Sequence, residues 1–300
     1  MLRTLSGKVR KLWRHPGFQA RPFTVLARGL GLLAHVLRGR QTLITLTPAG
    51  ERLLLPVGAR YTSVTLYLLR DHAEVELGWL DRLIGPGGHM LDIGANIGIY
   101  SLRGATLVGS SGRVIAIEPG QQAQTALRAN LALNRMPQVT VLPVALAAED
   151  GVGKLYHVAL GDDPQAFSLM PQENSVPSEQ VVTRTLDSVL HEAAFTRLDL
   201  IKMDVEGLEL EVLRSGATAL TRLKPIIIFE INATSVPTEP DGAQGAFMWL
   251  SAAGYRMHQL VAGRLVHVPR QPAGHGNLIA VHPEGAQPRP QGSAGSNGTV

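Results

Sequence analysis

Between residues 89 and 231, short apolar runs take turns with longer stretches whose apolar residues recur at helical spacing. The runs His89–Ile93, Arg113–Glu118, Val139–Leu142, Leu198–Met203 and Pro225–Ile231 read as buried strands. Gly98–Val108, Gln121–Asn134 and Leu208–Leu220 read as the helices between them. Such alternation predicts an α/β fold with a doubly wound, mostly parallel, Rossmann-like sheet. Upstream, Thr42–Thr47 and Arg52–Pro56 alternate around Pro48-Ala49-Gly50 and predict a hairpin. Glu74–Ile84 reads as a helix stopped by Gly85-Pro86-Gly87-Gly88. The alternation lapses between Ala145 and Leu198, where Lys154–Ala159 and Val181–Thr185 look like strands around a loop rich in Pro, Gln and Ser. This predicts a β-rich insertion over the sheet. A helix at Ala246–Ala253 and strands near Tyr255–Val261 and Asn277–His282 complete the domain, and from Pro283 the Gly-, Pro- and Ser-rich chain is expected to lack structure. The expected organisation is therefore an arm (1–40), a hairpin and helix (41–88), a main domain (89–283) and a tail (284–300).

Composition narrows the chemistry. With 45% hydrophobic and 17% charged residues, the 300-residue chain can bury a full core. It has no cysteine, which excludes disulfides, thiolate metal sites and a cysteine nucleophile. The net charge of +4 hides an asymmetry: nine Lys or Arg lie within residues 1–40, and the first acid is Glu51. On a helical wheel Leu2, Leu5, Val9, Leu12 and Trp13 share one side, while Arg3, Lys8, Arg10, Lys11 and Arg14 take the other. A helix of this kind can lie on an anionic membrane surface, or pack its stripe on the main domain. A secretory signal fits less well, because Arg28 interrupts the apolar stretch Phe23 to Leu37 and no clear small-residue cleavage site follows. No stretch is long and uncharged enough to span a bilayer. The expectation is a soluble, cytoplasmic protein, with peripheral membrane contact through the arm as one of its two readings.

The strand His89–Ile93 runs straight into Gly94-Ala95-Asn96-Ile97-Gly98, which opens a helix. Glycines let a backbone approach a ligand closely, so a Cβ at Gly94 is expected to block that approach, and helix N-termini offer unpaired N–H groups. Asn96 replaces the second glycine of the dinucleotide fingerprint, which argues against a pyrophosphate here. Asp92 would repel a pyrophosphate but can meet an ammonium group. Glu118, 24 residues past Gly94, ends the next strand and can accept both hydrogen bonds of a ribose diol. A ribose and an ammonium without a phosphate describe S-adenosylmethionine. The candidate cofactor residues are Asp92, Gly94, Ala95, Asn96, Gly98, Glu118 and Tyr100, the last of which reaches the methionine part or merely packs.

Asp92-Ile93-Gly94-Ala95-Asn96-Ile97-Gly98-Ile99-Tyr100, Thr185-Leu186-Asp187 and Leu200-Ile201-Lys202-Met203-Asp204-Val205-Glu206-Gly207 together resemble the FkbM-type methyltransferases. Pro225–Ile231 and Asn277–Val281 extend the resemblance, which runs from about Met90 to His282. It implies a class I methyltransferase that O-methylates hydroxyl groups on sugars, glycolipids or natural products, so a small-molecule or glycan acceptor and no nucleic acid. One departure is Glu230-Ile231-Asn232, where the family often has Glu-x-His.

Strand alternation places Lys202 and Asp204 on one face at the carboxyl end of their strand. Methyl transfer to a hydroxyl requires alignment of the oxygen and removal of its proton. Asp204 is the candidate proton acceptor, Lys202 the group that holds the acceptor or tunes the acid, and Glu206 a further polar contact or a cation ligand with Asp204 and Glu230. The alternative for Asp204 is a helix cap. Ten histidines include no ligand pair at helical spacing, and no metal site is expected. His275, and Ser168 in Phe167-Ser168-Leu169, are further candidates to reach the site from loops, with plain surface positions as the alternative. Two rival functions share the fold: a nicotinamide-dependent oxidoreductase, disfavoured by Asp92 and Asn96, and a non-catalytic binding module, disfavoured by the intact loop and by a 5% aromatic content that offers few platforms for RNA.

Overall fold

The strands of the main sheet carry apolar side chains on both faces, and this dictates the layers around them. Met90, Val114, Ile226 and Ile228 point into one core, whereas Leu91, Ile115, Ile117, Ile201, Ile227 and Phe229 point into the other. A sheet of this kind must be covered on both sides, which crossover helices accomplish. The computed structural model describes residues 13, 15–38, 41–55, 61–157, 167–168, 176–205, 207–231, 242–273 and 276–290.

The described chain opens with helices α1 (Pro16–Ala20) and α2 (Pro22–Arg38), followed by the antiparallel hairpin β1 (Thr42–Thr45) and β2 (Arg52–Leu55). Helices α3 (Tyr61–Leu69) and α4 (Val75–Gly78) lead to β3 (His89–Ile93), α5 (Ile99–Val108), β4 (Arg113–Ile117), α6 (Gln121–Asn134) and β5 (Val139–Leu142). A second sheet follows, built from β6 (Val144–Leu146), β7 (Gly151–His157), β8 (Phe167–Ser168) and β9 (Val176–Arg184). The main sheet then resumes with α7 (Leu186–Glu192), β10 (Leu200–Met203), α8 (Glu209–Ser215), α9 (Ala217–Leu223), β11 (Ile226–Ile231) and α10 (Gly242–Ala252). It ends with β12 (Arg256–Val261), β13 (Arg264–His267) and β14 (Gly276–Val281). The eight strands lie in the order β13-β12-β14-β11-β10-β3-β4-β5. Neighbours from β11 to β5 are parallel, and β14 runs antiparallel between β11 and β12. Winding reverses between β3 and β10, and open α/β sheets bind ligands at the strand carboxyl ends beside such a switch point.

Three expectations need correction. Glu74–Ile84 is not one helix but a short α4 between 3₁₀ turns at Arg70–His72 and Leu80–Arg82. Its buried Leu77, Leu80 and Leu83 recur every three residues, the spacing that a 3₁₀ turn stacks on one side. Leu208–Leu220 divides at Gly216, where a Cβ would press into Leu186, and the hydroxyl of Ser215 accepts the Leu186 N–H at 3.1 Å. The tail is placed as far as Pro290. Ala286 donates its N–H to the Lys224 carbonyl at 3.1 Å, Arg289 donates to Arg82 at 2.6 Å, and the Arg82 guanidinium returns a bond to Pro290 at 3.2 Å. Backbone pairing holds this segment, so its low apolar content was no guide. Of the arm's proposed stripe, Leu2, Leu5, Val9 and Leu12 lie outside the described residues.

One buried side chain ties the hairpin to the loop after β3. Asn130 on α6 accepts the Leu54 N–H at 2.7 Å and donates to the Ile97 carbonyl at 2.9 Å. Asn130→Ala removes both partners and strands two backbone groups, each worth about 1–3 kcal/mol when buried and unpaired. Urea unfolding should show that loss as a lower midpoint with an unchanged slope.

Candidate active site

The loop after β3 is folded by its own backbone. Gly94 and Ala95 both donate N–H groups to the Ile117 carbonyl at 3.0 Å, and Gly98 closes the turn onto Ala95 at 2.8 Å. Gly94 and Gly98 have φ of 75° and 94°, and Asn96 has 48°. All three occupy the left-handed region that glycine and asparagine tolerate best. Neighbouring backbone gives a reason for glycine at position 94 that the sequence did not show. A Cβ there would collide with the carbonyl oxygen of Asp204, because the turns after β3 and β10 touch. Gly94 therefore brings two strand ends together, and it is neighbouring backbone that excludes a side chain.

Glu118, at the end of β4, accepts the Asn96 N–H at 2.8 Å and the Gly120 N–H at 2.8 Å, one on each oxygen. Burial pushes its carboxyl up to about 7, against the pull of these two bonds. Asp92 is buried and accepts the Ser101 hydroxyl at 2.5 Å; burial likewise pushes it up to about 6. Its first partner is thus a side chain of α5. Tyr100 is buried too and donates its hydroxyl to Glu74 at 2.5 Å, so it packs and orders an acid. Ala95 is buried in the loop.

On the other side of the switch point, Lys202 is 2% exposed, and its Nζ lies 3.7 Å from the Asp204 carboxylate. The same ammonium group stands 5.2 Å over the Tyr100 ring. Burial works to lower the lysine pKa, but the carboxylates of Asp204, Glu74, Glu230 and Asp92 together outweigh it and raise it. Glu76, pushed up by burial, accepts the Asn277 side-chain amide at 3.1 Å. Asp204 keeps 40% of its side chain in contact with solvent. Leu208 is the cap residue of α8, and Glu209 receives the Val205 and Gly207 N–H groups at 3.4 Å each, so among the described residues Asp204 caps no helix. Sequence reasoning missed Glu74, Glu76 and Asn277. The family-like run Asn277–Val281 and the acids Glu74 and Glu76 were visible, but nothing local joins residues 201 positions apart.

Glu206, Asn232 and His275 lie outside the described residues, as does Leu169 beside the β8 residues Phe167 and Ser168. Among the described residues, no three or more His, Asp and Glu side chains group to hold a metal ion. Residues 92–257 match the Methyltransferase FkbM domain. The chain belongs to that family. It is 26% identical over 214 residues to the AMB antimetabolite synthetase AmbE of Pseudomonas aeruginosa, covering 58% of this chain and 10% of that one. It is 29% identical over 155 residues to methyltransferase sdnD of Sordaria araneosa, covering 42% and 59% respectively. The chain thus spans less than two thirds of either curated relative. Among solved structures it is similar to methyltransferase FkbM from Methylobacillus flagellatus KT, at a TM-score of 0.42 and 20% identity, covering 85% of this chain and 60% of that one.

The family uses S-adenosylmethionine, and the polar atoms left over in this FkbM domain fit that cofactor. The Asn96 side-chain oxygen is buried with no hydrogen-bond partner among the described residues, an acceptor waiting for a donor. Each Glu118 oxygen has taken one backbone N–H and retains a lone pair, enough for the two hydroxyls of a ribose. Asp92 and Glu179, whose carboxylate accepts the Gln121 N–H at 3.1 Å, lie close enough to Glu118 to add to its negative charge, a setting that disfavours phosphate.

Two predictions follow from these charges. Glu118 accepts two hydroxyls only when ionised, and a raised pKa means that it gains a proton as pH falls through about 7. Calorimetric affinity for S-adenosylmethionine should therefore drop below pH 7, by up to about tenfold per pH unit. Glu118→Gln should weaken binding at pH 8 by about 1.5–3 kcal/mol and remove this part of the pH dependence; matching wild-type and variant profiles would contradict the role. Lys202→Met leaves several carboxylates without their buried counter-charge and should cost about 3–5 kcal/mol in urea unfolding.

Proposed function

We propose that this chain transfers a methyl group from S-adenosylmethionine to a hydroxyl of a small acceptor, a sugar, glycolipid or natural product. The reading rests above all on the pairing of Lys202 and Asp204: a buried ammonium group 3.7 Å from a half-exposed carboxylate, at the end of the strand beside the glycine loop. When bound, the cofactor supplies an electrophilic methyl group. Asn96 and Glu118 would hold it, and Asp92 would set the local charge behind the loop.

The chain's own task is then to orient a hydroxyl and remove its proton. Asp204 is accessible and acceptor-only when ionised, so it can take the proton as the oxygen loses its hydrogen. Lys202 is held too deep to be a mobile hand for the acceptor. Its ammonium group holds the carboxylate in place from 3.7 Å. Tyr100 and Glu74 in turn position Lys202, the ring beneath its ammonium group and the carboxylate among its counter-charges. The family domain, and a curated relative that is a methyltransferase, support methyl transfer as the reaction class.

Asp204→Asn tests the proton step. The amide keeps the shape of the acid but accepts no proton, so turnover per folded molecule on a hydroxyl acceptor should fall roughly 10²–10⁴-fold while S-adenosylmethionine binding stays near that of the parent, and the unfolding midpoint falls because Lys202 loses one of its counter-charges. Full turnover in the variant would place proton removal on another group.

A further inference from the structure

Helix α2 is held from one side. Val25 is buried against the core and Leu32 packs beside it, the Arg28 guanidinium donates to the Leu68 carbonyl at 2.9 Å, and Gly31 lies against the Tyr67 hydroxyl. The helical repeat turns Phe23, Leu26 and Leu30 to the opposite side. There they are 86%, 51% and 81% exposed, and Trp13, just ahead of α1, is 55% exposed. A single exposed leucine means little, but three large apolar side chains in one ridge beside a tryptophan form a surface that water does not favour.

The stretch of sequence that carries this ridge has charge of one sign. Residues 1–40 carry nine Lys or Arg, and no acid occurs before Glu51. We propose that the ridge of Phe23, Leu26 and Leu30, with Trp13, docks the chain on an anionic lipid surface. The apolar side chains enter the boundary between headgroups and acyl chains, and the basic residues face lipid phosphates. A second copy of the chain is the poorer occupant, because pairing two ridges brings two strongly basic arms together. No helix among the described residues is long and apolar enough to cross a membrane. Docking reaches the candidate active site through a short path: α2 packs on α3, which leads through the Arg70–His72 turn to α4 and its flanking Glu74. The surface stands on exposure and charge and does not depend on the methyl-transfer reading.

Sedimentation of the full chain with vesicles tests it, using phosphatidylcholine alone and phosphatidylcholine mixed with phosphatidylglycerol. The chain should pellet with the mixed vesicles, remain in solution with phosphatidylcholine alone, and lose binding as salt rises. The double substitution F23S/L30S should weaken binding by at least about tenfold, with the thermal midpoint and S-adenosylmethionine affinity unchanged because both side chains are exposed. Failure of the parent to pellet with anionic vesicles overturns the proposal. So does a double variant that pellets as well as the parent, since basic residues alone would then suffice. A dimer in analytical ultracentrifugation that F23S/L30S dissociates, without vesicle binding by the parent, assigns the ridge to a second copy and likewise overturns it.

Discussion

Burying an ammonium group costs several kcal/mol unless carboxylates surround it, and Lys202 is buried where the ends of β3, β10 and β11 meet the turns around α4 and the start of α5. Asp204 follows its own strand, Asp92 comes from β3, Glu230 from β11, and Glu74 from the segment ahead of α4. These segments are distant in sequence, and the lysine draws their acids to one point. The converse also holds: without that positive charge, Asp92, Glu74, Glu76 and Glu230 would crowd together at the carboxyl edge of the sheet. The site is therefore an electrostatic construction as much as a packed one, and the ordering of Asp204 is its exposed consequence.

A backbone contact complements the charge. Because Gly94 lacks a Cβ, the turn after β3 can lie directly against the Asp204 carbonyl, so the loop with the spare acceptors of Asn96 and Glu118 adjoins the carboxylate proposed to take a proton. Asn130 supports the loop from α6 and extends the same support to the hairpin. In the proposed reaction, cofactor binding and proton transfer would fall to these neighbouring turns on a shared frame, as a reaction between two bound partners requires.

Much of this frame was legible in the sequence where the signal is local. His89–Ile93, Val139–Leu142 and Gln121–Asn134 coincide with the observed elements because apolar periodicity and flanking turn residues define them without help from distant parts of the chain. Lys202 and Asp204 were legible for the same reason, through strand alternation and the family motif. Glu74 and Glu76 were hidden inside an expected helix whose course is instead set by tertiary contacts: the Tyr100 hydroxyl takes Glu74, and Asn277 on β14 takes Glu76. Gly94 was recognised, but its contact with the Asp204 carbonyl was not, since sequence alone does not say that β10 lies beside β3. The segment 283–290 escaped notice because its hold on the fold is made by backbone groups and by Arg82.

The claim on which the rest depends is that these spare acceptors and buried acids select a phosphate-free adenosyl sulfonium. Calorimetry of the full chain with S-adenosylmethionine and, separately, with NADH measures that selection directly. Saturable binding of S-adenosylmethionine at one site per chain, with no heat of binding for NADH, is the expected result. Binding of NADH with no response to S-adenosylmethionine would contradict the account, because the carboxylates at this sheet end would then be accommodating a pyrophosphate.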